Sequence, residues 1–394
     1  MRVVCFNDRY PAMSETFVLE HIRGIMDRGH ELRVVARQRV EGPVHPLATE
    51  LEHVVRPLFV RGHSLQNVPR LLRRALSDTR ALRCLDPTRF GRRALSRKIL
   101  SWAEPWLDVD AHDVILAQHG HEGQIAARLR RAGIATKPMV TVFHGSDIST
   151  ASDPGKYREL FASGESFVAN SEFTRSKLLA AGCPESRLCV IPMGIRADEF
   201  PVEPRKPLVN RPLRVLCVAR LVPVKGLEFG IRAISACAHP VELIIVGDGP
   251  CRKDLALLAD DLGVSHQVVF RGSLTRPGVI EEIQKSDLLM CPGVTLPNGE
   301  AEALGVAPME AMACGRAVIA TQTGGLPEVI EGGVTGLLLP ERDPSAIAEA
   351  LDGLSTDPDK LDRFGVAGRK RVARVFDAGT LNNRLVDLLE QIAG

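Results

Sequence analysis

The chain lacks the marks of several large functional classes. No stretch of its 394 residues approaches the roughly 18 consecutive apolar residues of a membrane span, so any membrane contact is expected to be peripheral. It begins MRVVCF, which reads as a first strand and not as a secretory leader, and a cytoplasmic protein is expected. Fifty lysines and arginines nearly balance 48 acids, and a net charge of +2 gives no reason to expect a nucleic-acid partner. Nine cysteines, an odd number, lie at 5, 84, 183, 189, 217, 237, 251, 291 and 314 with no Cys-x-x-Cys pair. Most sit in apolar runs such as VLCVA and LLMCP, which reads as buried reduced thiols. There is no repeat at a solenoid period and no low-complexity tract. The VGDGP run at 246–250 lacks the third glycine of a dinucleotide fingerprint.

A chain of this length suits two domains of under about 200 residues each. Hydrophobic content of 45% and charged content of 25% are ordinary for a globular protein. The pattern is alternating strand and helix. RVVCF, SETFVLEHIRGIMDRG and ELRVVA form a βαβ unit with Ser14 as N-cap and Gly29 as stop. Asn7 to Met13 then leave the carboxyl end of the first strand, where open α/β sheets bind ligands. His119, His121 and His144 also follow strand ends. His119 and His121 are a metal pair by type, but with no Asp, Glu or Cys partner at ligand spacing no metal site is expected. Pro201, Pro204, Pro207 and Pro212 mark a linker, after which Arg220 and Lys225 follow the next strand, placed to meet a diphosphate.

Arg56 to Lys98 carries twelve lysines and arginines against Asp78 and Asp86. Interleaved leucines, with Trp102 and Trp106 close behind, read as one or two basic amphipathic helices. Such a face suits either anionic lipid or plain solvent.

The chain is organised around Cys291–Leu339. Strand-like DLLMC and RAVIA flank a loop with Glu302 and Gly305, then a helix expected to begin at Pro308. Glu302 falls on the loop and Glu310 in the first turn, with free N–H groups near Gly305, Val306 and Met309 for phosphate oxygens. Either glutamate alone reads as a solvated loop residue or a helix-end acid. Together, flanking an anion site, they suit hydroxyls on both sides of a diphosphate: a ribose and a sugar.

Glu302-x7-Glu310, AMACGRAVIA, Gly324-Gly325-Leu326-Pro327-Glu328 and Gly333-Val334-Thr335-Gly336 resemble the nucleotide-binding signature of the retaining GT-B glycosyltransferases of glycosyltransferase family 4. YPAMSETF resembles the exopolysaccharide branch, of colanic-acid and amylovoran type. Arg196 stands where that family usually has an aspartate. The resemblance implies an α/β GT-B fold, two Rossmann-like domains with parallel sheets facing across a cleft. Residues 1–200 would bind acceptor, 201–212 link, 213–376 bind nucleotide sugar, and 377–394 form a helix crossing back.

The resemblance also implies roles. Glu302, His144, Arg220 and Lys225 would be catalytic, His144 by contacting the transferred sugar. Gly249, Arg271 and Gly272 would surround the base, and Leu304, Gly305 and Val306 the phosphates. Glu310 would bind the ribose, Ser14 the donor. The donor would be a nucleotide-diphosphate sugar, UDP favoured, without a tightly bound cofactor or a metal. The acceptor would be a sugar, glycolipid or small glycoside, with peripheral membrane contact through the basic 56–106 region. Transfer to a soluble natural product, a nucleotide-sugar epimerase and a non-catalytic binder stay open.

Overall fold

The computed structural model describes residues 1–11, 16–40, 46–51, 57–60, 68–95, 98–109, 111–149 and 155–394. Ser14, and Arg56, Arg61 and Arg97 of the basic stretch, lie outside the described residues. The chain divides into two compact units: Met1–Asn170 with Thr174–Ile191 and Asn382–Gly394, and Ser171–Phe173 with Pro192–Leu381.

The N-terminal unit is built on seven parallel strands: β1 (Arg2–Tyr10), β2 (Glu31–Arg39), β3 (Leu58–Phe59), β4 (Val114–Ala117), β5 (Met139–Phe143), β6 (Ser166–Ala169) and β7 (Leu188–Val190). Their order is β3-β2-β1-β4-β5-β6-β7. The chain therefore reverses direction across the sheet between β1 and β4, and loops leaving those two strands diverge to open a crevice. Side chains alternate across the sheet. Val4 and Phe6 join the core with Trp106, Ile115 and Phe143, whereas Cys5 packs on the other face with Val18, Leu19, Ile22 and Val34.

Between β1 and β2 the helix Thr16–Asp27 buries Val18, Leu19, Ile22 and Ile25. The end of the C-terminal helix (Ala378–Ala393) lies along it within the same unit. Asn382 Nδ2 donates to the Glu20 carbonyl at 2.9 Å, and Arg28 pairs with Asp387 at 2.9 Å and Glu390 at 3.0 Å. Gly24 permits the approach, since a Cβ there would stand 2.5 Å from Asn382 Cβ.

The basic stretch is not one or two long helices. Within 68–107 it forms the short helices Val68–Ser77, Thr79–Arg83, Pro87–Phe90, Arg92–Leu95 and Lys98–Leu107. The acids supply two of the breaks: Asp78 accepts from the Arg80 N–H at 2.8 Å and Asp86 from the Thr88 N–H at 2.9 Å, each capping a new helix. Some of the charge is paired within the stretch, Arg80 with Asp78 and Arg89 with Asp86, and Arg70 meets Glu104. Trp102 and Trp106 are core residues, Trp106 meeting Phe6 edge to face at 5.2 Å. Leu76 and Leu82 remain exposed beside Arg73, Arg80 and Arg83.

The C-terminal unit holds six parallel strands: β8 (Leu213–Val218), β9 (Val241–Val246), β10 (Val268–Gly272), β11 (Leu288–Cys291), β12 (Ala317–Thr321) and β13 (Gly336–Leu339). The order β10-β9-β8-β11-β12-β13 is the doubly wound 3-2-1-4-5-6 pattern, with its reversal between β8 and β11. Among the described residues no helix is long and apolar enough to cross a membrane.

Leu389 is fully buried, at 0% exposure, in the last helix. Leu389→Ala is expected to cost about 2–4 kcal/mol, read as an earlier urea transition for the N-terminal unit.

Candidate functional site

In the C-terminal unit the residues singled out by sequence gather at the carboxyl ends of the strands. Following strand order, Arg271 and Gly272 close β10, Gly249 follows β9, Arg220 and Lys225 follow β8, and Glu302 lies on the loop after β11. The last two loops leave the strands on either side of the reversal. That is where backbone diverges and leaves room for a ligand.

Backbone hydrogen bonds tie these loops in sequence. The Leu221 N–H donates to the Asp248 carbonyl at 2.9 Å, joining the β8 and β9 loops. Val294 N–H donates to the Val224 carbonyl at 2.9 Å, joining the β8 and β11 loops. On the far side, Gly325 N–H donates to the Glu302 carbonyl at 2.8 Å. Here the Gly324-Gly325 turn has a mechanical reason: a Cβ on Gly324 would lie 1.8 Å from the Glu302 carbonyl oxygen, and one on Gly325 2.0 Å from that of Ala303. The turn after β12 is thus a backbone wall behind the glutamate loop.

Within this frame the Lys225 ammonium pairs directly with the Glu302 carboxylate. Both side chains are about one-fifth exposed, at 23% and 22%, so the pair opens to solvent on one side. Arg220 is exposed at the start of the same loop. Lys225 ends a short 3₁₀ turn, Pro223–Lys225, closed by Gly226 at φ +58°. That closure aims the lysine back across the strand ends.

The helix after Glu302 spans Val306–Ala313, beginning two residues before Pro308. Gly305, at φ +94°, takes the N-cap position, and Pro308 sits third in the helix, where a missing N–H is still harmless. Glu310 consequently falls in the second turn and not the first. Leu304 and Gly305 are buried, while Val306 is half-buried at the mouth of the helix. Burial raises the Glu310 pKa to about 7, with Arg276 pulling weakly the other way. Arg271 is largely exposed, its nearest acid Glu282 at 3.8 Å.

His144, in the N-terminal unit, follows β5 and is 7% exposed. It packs on Phe17 with ring centroids 4.0 Å apart, and near His119 and His21 at 5.0 and 6.1 Å. Burial pushes its pKa well below the ordinary histidine value, and His119 and His21 add to the effect. Among the described residues neither ring nitrogen makes a well-aligned hydrogen bond. Burial thus keeps the imidazole neutral, with the Gln118 backbone as its polar neighbour.

Sequence reasoning found no carboxylate partner for the histidines beyond β4, and the fold corrects this. Asp8, on β1, comes beside His121 and Glu122 because β1 and β4 pair, with Phe6 opposite Ala117. His119 and His121 do not converge as a metal pair; their rings stack at 5.6 Å and 19°. The one available signal was that Asp8 and His-Glu both follow residues that end neighbouring core strands.

Known proteins agree with this architecture. Residues 14–199 match the family model described as Glycosyltransferase Family 4, and residues 200–371 the one described as Glycosyl transferases group 1. The chain is 30% identical over 411 residues to the putative colanic acid biosynthesis glycosyltransferase WcaL of Salmonella typhimurium, covering 100% of both chains. It is 32% identical over 301 residues to a GDP-mannose-dependent alpha-(1-6)-phosphatidylinositol monomannoside mannosyltransferase of Mycolicibacterium smegmatis, covering 71% of this chain and 78% of that one. Among solved structures, Anabaena Alr3699/HepE in complex with UDP superposes with a TM-score of 0.75 at 21% identity, covering 99% of this chain and 100% of that one. The chain belongs to glycosyltransferase family 4, has the GT-B fold of two Rossmann-like units, and is a glycosyltransferase of the hexosyltransferase type.

Proposed function

We propose that the protein moves a sugar from a UDP-sugar to an acceptor hydroxyl, with retention at the anomeric carbon, in the synthesis of a surface polysaccharide. The observation that carries the reading is the Lys225–Glu302 pair, set with Arg220 and a helix N-terminus at the reversal point of the C-terminal sheet. The full-length similarity to WcaL supports the polysaccharide assignment. The GDP-mannose-dependent relative favours a second reading in which the base is guanine.

In this mechanism the bond from the anomeric carbon to the diphosphate oxygen breaks as the acceptor oxygen bonds to the same face. The acceptor proton passes to the leaving phosphate. Negative charge grows on the diphosphate, and Lys225, Arg220 and the N–H groups at Gly305 and Val306 stabilise it in place of a metal. Glu302 takes the sugar's hydroxyls or faces the positive charge developing at the ring. Glu310 accepts from the ribose hydroxyls, and Gly249, Arg271 and Gly272 border the base. His144 keeps the sugar-hydroxyl role drawn from the resemblance. Ser14 keeps the donor role drawn from the resemblance. For a lipid-linked acceptor, exposed Leu76 and Leu82 among arginines form a face suited to anionic headgroups. Acceptors of the N-terminal unit include glycolipids and small glycosides alike.

The test is a thermal-shift panel with UDP, GDP, ADP and CMP, each with and without EDTA. UDP is expected to raise Tm in both conditions, and Lys225→Ala to abolish the rise and cut turnover roughly 10²–10³-fold. A rise with GDP instead would select the guanine reading, and no rise with any nucleotide would remove the donor site.

The resting pair separates binding from chemistry. Glu302→Gln releases Lys225 to the diphosphate, so UDP affinity is expected to hold or tighten, by calorimetry, while turnover falls roughly 10²-fold or more. Weakened UDP binding with turnover intact would refute the assignment.

Glu310 supplies a pH dependence. With its pKa near 7 it is half protonated at neutral pH, and only the carboxylate accepts both ribose hydroxyls. UDP affinity is expected to rise roughly tenfold from pH 6 to pH 8, beyond the change seen in Glu310→Gln, which controls for titration of the nucleotide. The folding contribution has the opposite sign. A carboxyl raised above its unfolded value favours the fold fully below about pH 4, and loses that contribution as pH rises through 7. Glu310→Gln is therefore expected to bind UDP more weakly at pH 8 yet melt higher there than the native chain.

A further inference from the structure

The reversal point of the N-terminal sheet holds a second polar cluster that the transfer chemistry leaves unused. Asp8 lies near the end of β1, Arg37 near the end of β2, and His121 and Glu122 in the first turn of the helix Gly120–Arg131 that follows β4. One ligand atom each from Asp8, His121 and Glu122 falls within 4.8 Å of the others. His121 Nε2 is 2.7 Å from Glu122 Oε1 and 4.0 Å from Asp8 Oδ2. A tetrahedral ion with ligands at about 2.05 Å needs them about 3.3 Å apart, a value these two separations bracket.

Glu122 is the informative member. Its side chain is 0% exposed, and neither carboxylate oxygen makes a well-aligned hydrogen bond to a described residue, although His121 is in close contact. Such a carboxylate needs a cation. Arg37 is a poor candidate, since its guanidinium sits 3.1 Å from Asp8 Oδ1 but 3.9 Å from Glu122. His121 and Asp8 leave an open side, their side chains 37% and 23% exposed.

We propose that Asp8, His121 and Glu122 bind a divalent metal ion of the zinc or manganese class, with one or more positions left to water or to a ligand hydroxyl. One imidazole and two carboxylates are the donor set those ions take, and the loop divergence between β1 and β4 gives an entry path. Arg37 is the competing charge, holding Asp8 when no ion is bound. The inference rests on the N-terminal unit alone and is independent of the donor reading.

The test uses the metal alone on the chelator-treated full chain. Calorimetry with Zn²⁺ and with Mn²⁺ is expected to give one ion per chain for at least one of them, and Co²⁺ to give visible absorption bands that the saturating ion removes. His121→Ala, at a half-exposed position, is expected to weaken binding at least about tenfold, and Asp8→Asn likewise. Arg37→Gln is expected to tighten binding roughly fivefold or more, because it removes a like charge about one ion pair away. Circular dichroism checks that each variant is folded. No stoichiometric ion in the native chain, or one that persists unweakened in folded His121→Ala and Asp8→Asn, overturns the proposal. So does loss of binding in Arg37→Gln, which would make the arginine the resident cation. UDP thermal shifts lie outside this outcome, so either assignment can fail without the other.

Discussion

The position of Glu302 depends on a place where no side chain fits. A Cβ at Gly324 would be 1.8 Å from the Glu302 carbonyl oxygen, so two loops from neighbouring strands can touch backbone to backbone. That contact sets how far the glutamate loop stands from β12. The same economy recurs on the other side, where the β8 loop bonds the β9 and β11 loops through main-chain groups. A carboxylate, an ammonium and a helix end are thereby held by peptide units, which are stiffer than side chains. Preorganisation of this kind is what a charge-stabilising site needs, since donors that must reorganise during reaction give back what they gain.

The pairing of Lys225 with Glu302 has a consequence for how the site rests. The ammonium has a carboxylate partner, which removes the cost of two partly buried unpaired charges. In the proposed mechanism a diphosphate would bring its own charge and free the carboxylate for hydroxyls, exchanging one partnership for two. Glu310 follows the opposite rule: burial raises its pKa to about 7, and in the proposed mechanism it would accept from a ribose only after giving up its proton.

Much of this was legible in the chain. Alternating apolar strands and helices showed two doubly wound sheets, because parallel strands covered on both faces read as continuous apolar runs. Pairs close in sequence to a strand end, such as Arg220 and Lys225, were readable because topology alone carries such residues to one edge. Local rules erred by two residues at Pro308, since Gly305 with its positive φ nucleates the helix earlier than the proline requires. The tryptophans just behind the basic stretch are core residues, Trp106 against Phe6, which the sequence reading did not specify. Amphipathic patterning could not show this, because Asp78 and Asp86 break the stretch into short pieces whose faces rotate independently.

Asp8 illustrates what was not legible. It is 113 residues from His121, and nothing local ties them; the parallel register of β1 against β4 does. A doubly wound sheet has one reversal, and its two flanking strands are seldom consecutive in sequence, so groups meeting there are always distant in the chain. Both units obey this rule: β1 with β4, and β8 with β11. In the C-terminal unit the reversal gathers Lys225 with Glu302, a charge pair that sequence named but could not join. In the N-terminal unit it gathers Asp8 with His121 and Glu122, of which the sequence reading had singled out only His121. A buried carboxylate in the second place and a cation–carboxylate pair in the first are the same topological event, filled with different chemistry.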